Sequence, residues 1–229
     1  MVLGLADNCD PQSLASRLRR QRMAWFVELL NAVPAPVRVL DVGGTVAFWR
    51  STAADWLPRC QVTLVNLRPE DTGDLPGATA VAGDARHMPR FADRSFDLCF
   101  SNSVIEHVGT LYDQRAMARE IRRVAHGYFV QTPYRHFPLE PHFLVPFWQY
   151  LPAGVRAALF RRFRLGWMGR QPDPFLARAE VEQVRLLNRR EMRVLFPDAT
   201  LLAERVGPLV KSLIARKAPG PEEGNSKPA

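Results

Sequence analysis

Val37-Arg38-Val39-Leu40-Asp41-Val42-Gly43-Gly44-Thr45 is the stretch whose reading decides the fold. A mostly apolar, valine-rich run meets an acid and then a Gly-Gly turn. Such a run reads as a short buried strand, because a strand covered on both faces carries near-continuous apolar residues. Glycine lets the backbone approach a ligand where a Cβ would clash. Val46 to Leu57 contains no proline and is expected to form the next helix. Strand, acid, glycine turn and helix in that order build a nucleotide-type binding edge. Gly-rich strand ends are common in α/β proteins, so the weight of this one rests on its companions downstream in the chain.

Further strands are expected at Val62–Asn66, Thr79–Gly83, Phe96–Ser101 and Tyr128–Thr132. The first ends in Asn66 and Leu67, roughly 20 residues past the glycines, where a ribose-binding side chain belongs in a β-α-β unit. The second runs into Gly83-Asp84-Ala85. The third exits into Ser101-Asn102-Ser103 and then Glu106-His107. A helix is expected at Leu111–Val124 and another at Asn188–Phe196. Two closing strands, Thr200–Val206 and Leu209–Ala215, turn at Gly207-Pro208. Alternating strands and helices argue for an α/β chain whose parallel sheet is covered on both faces. Right-handed crossovers place all these strand-end loops on one carboxyl edge.

Together the first four strand ends resemble those of the class I S-adenosylmethionine-dependent methyltransferases, over Val37 to Pro133. The resemblance is closest to the small-molecule group with Gly-Asp-Ala and Glu-His-Val signatures. It implies a Rossmann-like three-layer sandwich, a seven-stranded mostly parallel sheet with a C-terminal antiparallel hairpin, and S-adenosylmethionine as cofactor. Asp41, Gly43 and Gly44 match the start of the family's glycine loop. Thr45 and Ala47 stand where further glycines are usual, and the Thr45 hydroxyl could bond the cofactor's carboxylate. Asn66 stands where the family has an acid on the ribose hydroxyls, with Leu67 beside it, so Asn66→Asp is expected to tighten binding. Arg68 keeps an NADP-dependent reductase open as an alternative. Asp84 resembles the adenine acceptor with the Ala85 amide beside it, or else caps a helix. Ser101 and Asn102 end the strand toward which the reactive methyl points. His107 either packs structurally or serves as a base.

Residues 134–187 break the alternation and read as an acceptor-side insertion or lid within a single domain, 1–216. Tyr134, His136, Glu140 and His142 stand among apolar neighbours, the makeup of a small-molecule pocket. His142 or His136 could remove the acceptor's proton, or both could cap loops. Residues 143–170 are aromatic, and from Leu151 to Arg170 they carry five arginines and no acid. An amphipathic basic helix there would be a lid or a membrane-surface element. Pro11–Asn31, within an N-terminal segment at 11–32, reads as an amphipathic helix. Leu14, Leu18, Trp25 and Leu29 form its stripe and Arg17, Arg19, Arg20 and Arg22 its basic face. It would cap a sheet edge or cover the cofactor.

The net charge of +8 suits an anionic partner, or reflects arginine-rich composition alone. No nucleic-acid module is visible. The three cysteines show no disulfide or metal spacing, so no metal is expected and a cytoplasmic location fits best. No apolar run is long enough to span a bilayer, and residues 217–229 read as a disordered tail. The expected function is methyl transfer to O or N of a small or lipid-like acceptor, with peripheral membrane contact through 143–170 as an option. A non-catalytic partner protein of the same fold is the alternative.

Overall fold

The computed structural model describes residues 14–53 and 55–220. Its elements run α1 (Leu14–Asn31), β1 (Val37–Val42), α2 (Val46–Thr52), β2 (Cys60–Asn66), β3 (Ala78–Ala82), β4 (Phe96–Asn102), α3 (Leu111–Val124), β5 (Ala125–Pro133), α4 (Ala153–Arg162), α5 (Pro174–Gln183), α6 (Arg189–Leu195), β6 (Thr200–Val206) and β7 (Leu209–Lys217). One seven-stranded sheet has the order β3-β2-β1-β4-β5-β7-β6. β7 is antiparallel to both β5 and β6, and the other strand pairs are parallel. The Rossmann-like sandwich and its C-terminal hairpin are therefore as the sequence implies. The strand order reverses between β1 and β4, and open α/β sheets bind ligands at such a switch point.

Successive strand side chains go to opposite faces, and this builds two cores. Leu40, Val42, Cys99 and Val130 pack against Met117 and Ile121 of α3 and Met192 of α6. Val39, Leu64, Phe100 and Phe129 pack against Phe26 and Leu29 of α1 and Trp49 of α2. The Phe26 ring lies 4.6 Å from that of Phe100 and 5.6 Å from that of Phe129, so α1 covers a sheet face rather than an edge. Its buried stripe runs Leu18, Arg22, Phe26 and Leu29. Arg22 thus leaves the expected basic face, because a spacing of four residues places it in line with Leu18 and Phe26.

Three other expectations are corrected. The helix expected over Val46–Leu57 ends at Thr52. Ser51 Oγ bonds back to the Ala47 carbonyl at 2.8 Å, and Pro58 sits in a 3-10 turn at Leu57–Arg59. The single amphipathic helix expected within 151–170 is only α4. The chain then turns, with Leu165 bridged to Gly169, and α5 packs on α4. Phe143, Trp148, Phe160, Ala177 and Val181 form a small core of their own there, so Phe160 points inward. Lys217, the first residue of the expected tail, still pairs with Tyr128 in the sheet. Pro11–Ser13 of the expected first helix and 221–229 of the expected tail lie outside the described residues.

Candidate functional site

The turn after β1 is built around a buried acid. Asp41 Oδ2 accepts a 2.7 Å hydrogen bond from Trp49 Nε1, while Oδ1 is buried without a partner. Burial, opposed by the Trp49 bond, pushes Asp41 up to about 7. The carboxylate lies so close under the turn that a Cβ on Gly44 would fall 1.9 Å from Asp41 Oδ2. Gly43 has φ +78° and a Cβ there would meet Val104 at 2.4 Å. Thr45, extended at φ −120°, is the N-cap of α2, and its Oγ1 accepts from Phe48 N at 3.2 Å. Glu70 accepts from Val46 N at 2.9 Å, a contact for which the sequence carries no signal.

The neighbouring strand ends hold one another in place. Asn66 Nδ2 donates to the Gly44 carbonyl at 2.7 Å, tying β2 to the glycine turn. Leu67 beyond it is 77% exposed. Asp84 is clasped by Arg86, whose Nη2 lies 2.7 Å from Oδ2; these bonds hold the carboxyl below the usual range. The absence of a Cβ on Gly83 leaves room for Val65, which such a Cβ would meet at 2.7 Å. Ala85 is half-buried beside Asp84. Ser101, fully buried, donates to the Val42 carbonyl at 3.0 Å. Asn102 Oδ1 is buried without a partner.

These features fit an adenosyl cofactor. The carboxyl edge carries an uncovered apolar side chain at Leu67, and unpaired buried oxygens at the ends of β1 and β4. Asp41, Asn66, Asp84 and Asn102 would hold its polar groups.

A cavity of about 700 Å³ adjoins this edge. Phe48 of α2, Asn102 and Ser103 after β4, and Tyr134, Leu139 and Trp167 of the insertion line it. Of the expected acceptor-side residues only Tyr134 is on its wall. The Tyr134 ring meets that of His136 edge-on at 5.2 Å, and His136 Nδ1 lies 2.7 Å from Tyr150 Oη. His107 and His142 come together off the cavity wall. Their Nε2 atoms are 3.1 Å apart.

Glu140 fixes the pair. Its Oε1 lies 2.6 Å from His142 Nδ1, and its Oε2 accepts from the backbone N–H groups of His142 at 2.8 Å and Phe143 at 2.7 Å. Burial works against a charged His142, but the Glu140 bond and charge outweigh it and raise the group. His107 is exposed at its outer edge. Desolvation of the ring, then the charge of His142, push it down to about 4. Glu106 beside it is fully buried and pushed up to about 7 by that burial. Its Oε2 accepts from Thr132 Oγ1 at 3.0 Å and its Oε1 has no partner. Among the described residues Glu106, His107 and His142 are the one such group with donor atoms all within 4.8 Å, so a cation could be held there.

Sequence reasoning named Arg19 and Arg22 only as a basic helix face and missed their meeting with Glu204 of β6 and Lys211 and Ser212 of β7 on the cavity wall. The alignment of Arg22 with Leu18 and Phe26 was the one available signal.

Fold and strand-end geometry together are those of a Rossmann-like domain with a nucleotide-type binding edge. Residues 40–130 match a family model described as a methyltransferase domain. The matched segment is a methyltransferase domain, and the chain has the fold of the class I S-adenosylmethionine-dependent methyltransferases. No curated protein matches its sequence.

Three solved structures similar to the chain carry the fold. The YcgJ protein of Bacillus subtilis is 19% identical with TM-score 0.51, over 81% of this chain and 70% of that one. The PH0226 protein of Pyrococcus horikoshii is 17% identical with TM-score 0.52, over 92% and 94%. Phosphoethanolamine N-methyltransferase 2 of Haemonchus contortus, solved with S-adenosyl-L-methionine, is 17% identical with TM-score 0.50, over 80% of this chain and 38% of that one. Among the described residues no helix is long and apolar enough to cross a membrane.

Proposed function

We propose that the enzyme methylates an oxygen or nitrogen of a small or lipid-linked acceptor held in the 700 Å³ cavity. One observation carries this reading: Asn102 and Ser103, at the carboxyl end of β4, form part of the cavity wall. The acceptor therefore reaches the same edge as the Gly43–Gly44 turn. Bound S-adenosylmethionine supplies an electrophilic methyl group on its sulfonium. The chain supplies positioning and dryness, which are worth most when reacting groups are held close and water is excluded. Phe48, Leu139 and Trp167 wall the acceptor off, and Tyr134 offers it a hydroxyl.

The His107–His142 pair, which lies off the cavity wall, takes up the released proton by relay rather than by direct contact with the acceptor. With Glu140 on Nδ1, the basic atom of His142 is Nε2, and neutral His107 beside it reaches solvent. Peripheral contact with a membrane belongs to the same reading. Trp167 is 58% exposed while lining the cavity, and it comes after Arg161, Arg162 and Arg164.

Calorimetric titration with S-adenosylhomocysteine, followed by an assay of its release with phenolic and lipid-like acceptors, tests the proposal. Glu140→Gln should retain binding and lower turnover by about tenfold or more. It should also move the rising limb of the pH profile to lower pH, because His142 loses the carboxylate that raises it. Unchanged turnover in both His142→Ala and His107→Ala would remove the pair from the mechanism. Failure to sediment with anionic vesicles at low salt would end the membrane part.

A further inference from the structure

The part of the cavity wall built from α1, β6 and β7 holds charge that the protein neutralises only in part. Arg22 is 9% exposed and lines the cavity. Its Nε is buried with no hydrogen-bond partner. The nearest carboxylate is Glu204, 3.9 Å away at Oε1, and that oxygen is itself buried and unpartnered. Lys211 Nζ stands 3.9 Å from Glu204 Oε2, whose close partner is the Ser212 hydroxyl at 2.8 Å. A structural ion pair closes to roughly 2.7–2.9 Å, and neither cation here does so.

Arg19 lines the same part and makes no hydrogen bond or ion pair among the described residues. Three cations thus face one carboxylate on this part of the cavity wall. Glu106 adds only a weaker, more distant field at Arg22. Burial lowers both Arg22 and Lys211, a cost that an anion between them would offset.

We infer that this part of the cavity wall is a binding site for the anionic group of the acceptor, a carboxylate or phosphate on an apolar or aromatic body. The body would lie against Phe48, Leu139, Leu144 and Trp167. The anion would take the Arg22 fork and Lys211, with the Ser212 hydroxyl and Arg19 within the same wall. An arginine fork matches the oxygens of carboxylate and phosphate pairwise. This inference rests on the cavity being the acceptor site.

The test uses the full chain saturated with S-adenosylhomocysteine, titrated with decyl phosphate, decanoate, decanol and inorganic phosphate. Decyl phosphate or decanoate should bind at least about tenfold tighter than decanol, the effect of a desolvated charge pair. Lys211→Met and Arg22→Met should each erase most of that difference. Glu204→Gln should tighten anion binding, since it removes the competing carboxylate; a merely structural Arg22–Glu204 pair would leave anion binding unchanged. Should Arg22→Met fail to fold, as its melting curve would show, the half-buried Lys211 and the Glu204 variant decide. Equal binding of decanol and decyl phosphate overturns the anion site while leaving the methyltransferase reading intact. Inorganic phosphate binding as tightly as decyl phosphate overturns the apolar body. Loss of S-adenosylhomocysteine binding itself would strike the underlying reading instead.

Discussion

The two parts of the site are built on opposite principles. At the cofactor edge almost every polar side chain is already engaged by a neighbour: Asn66 with the Gly44 carbonyl, Thr45 with Phe48 N, Asp84 with Arg86, Ser101 with the Val42 carbonyl. Where α1 meets β6 and β7 the charged groups are only loosely engaged, with Arg22 Nε and Glu204 Oε1 both buried, without a hydrogen bond and 3.9 Å apart. The first is a rigid frame whose specificity lies in backbone shape and a few spare oxygens. The second keeps its hydrogen-bonding capacity for something that arrives. A frame can be tested by breaking its geometry, an open site by changing its charge.

Gly44→Ala should have the largest effect. Its Cβ would need the space of Asp41 Oδ2, 1.9 Å away, and Asp41 cannot swing aside without abandoning Trp49. Overpacking against a buried acid should cost about 3 kcal/mol or more, with S-adenosylhomocysteine binding lost. A thermal melt and a titration read both. A melt within about 1 kcal/mol of wild type would show that the turn is looser than its geometry states.

Asp41→Asn should shift stability next most, and with a defined pH signature. The folded group is pushed up to about 7, well above its unfolded value, so between those values the folded chain binds more protons than the unfolded one. Stability then falls as pH rises from about 4 to about 7. Asn removes that slope. The variant should gain a few kcal/mol relative to wild type at pH 8 and little at pH 4. Denaturant midpoints across that range check it, and a pH-independent difference would mean that the carboxylate is not buried as a charge.

The contrast between the two parts also explains what was legible beforehand. Val37–Thr45 is local: strand, acid, glycines and helix cap lie within a few residues, and each leaves a mark in the sequence. The strand ends Asn66, Asp84 and Asn102 emerge from the spacing of repeated units. The charged part of the cavity wall has no such mark. It joins Arg22 of α1 to Glu204 and Lys211 of the closing hairpin, segments that meet only because α1 packs under β5 and β7. The pairing of His107 with His142 likewise depends on how the insertion folds back, which its own small core of Phe143, Trp148 and Phe160 decides. The early end of α2 was hidden because Ser51 satisfies the backbone from its side chain, an option that an apolar pattern does not display.

Asn66→Asp separates sequence reasoning from geometry. By resemblance an acid there should tighten cofactor binding. In the structure Asn66 donates to the Gly44 carbonyl, and an Asp oxygen would face that carbonyl at about the same 2.7 Å. Two acceptors in contact repel, and a lost buried hydrogen bond costs about 1–2 kcal/mol. The expected outcome is therefore a weaker site, by about tenfold in S-adenosylhomocysteine affinity. Tighter binding would mean that the side chain leaves Gly44 for the ribose when the cofactor is present.

Thr45→Ala should do least, and it asks whether one hydroxyl belongs to the frame or to the ligand. Its Oγ1 accepts from Phe48 N at 3.2 Å, while Glu70 separately serves Val46 N. Losing an N-cap oxygen typically costs about 0.5–2 kcal/mol. The long, exposed bond and the surviving Glu70 contact put this case near the lower end. If the hydroxyl only caps α2, the melting temperature should drop by a few degrees or less and S-adenosylhomocysteine affinity should hold. Thr45→Ser should then behave as wild type. An affinity loss of several-fold in Thr45→Ala, restored by serine, would instead assign the hydroxyl a bond to the cofactor's carboxylate. The cofactor edge would then also keep part of its hydrogen-bonding capacity in reserve.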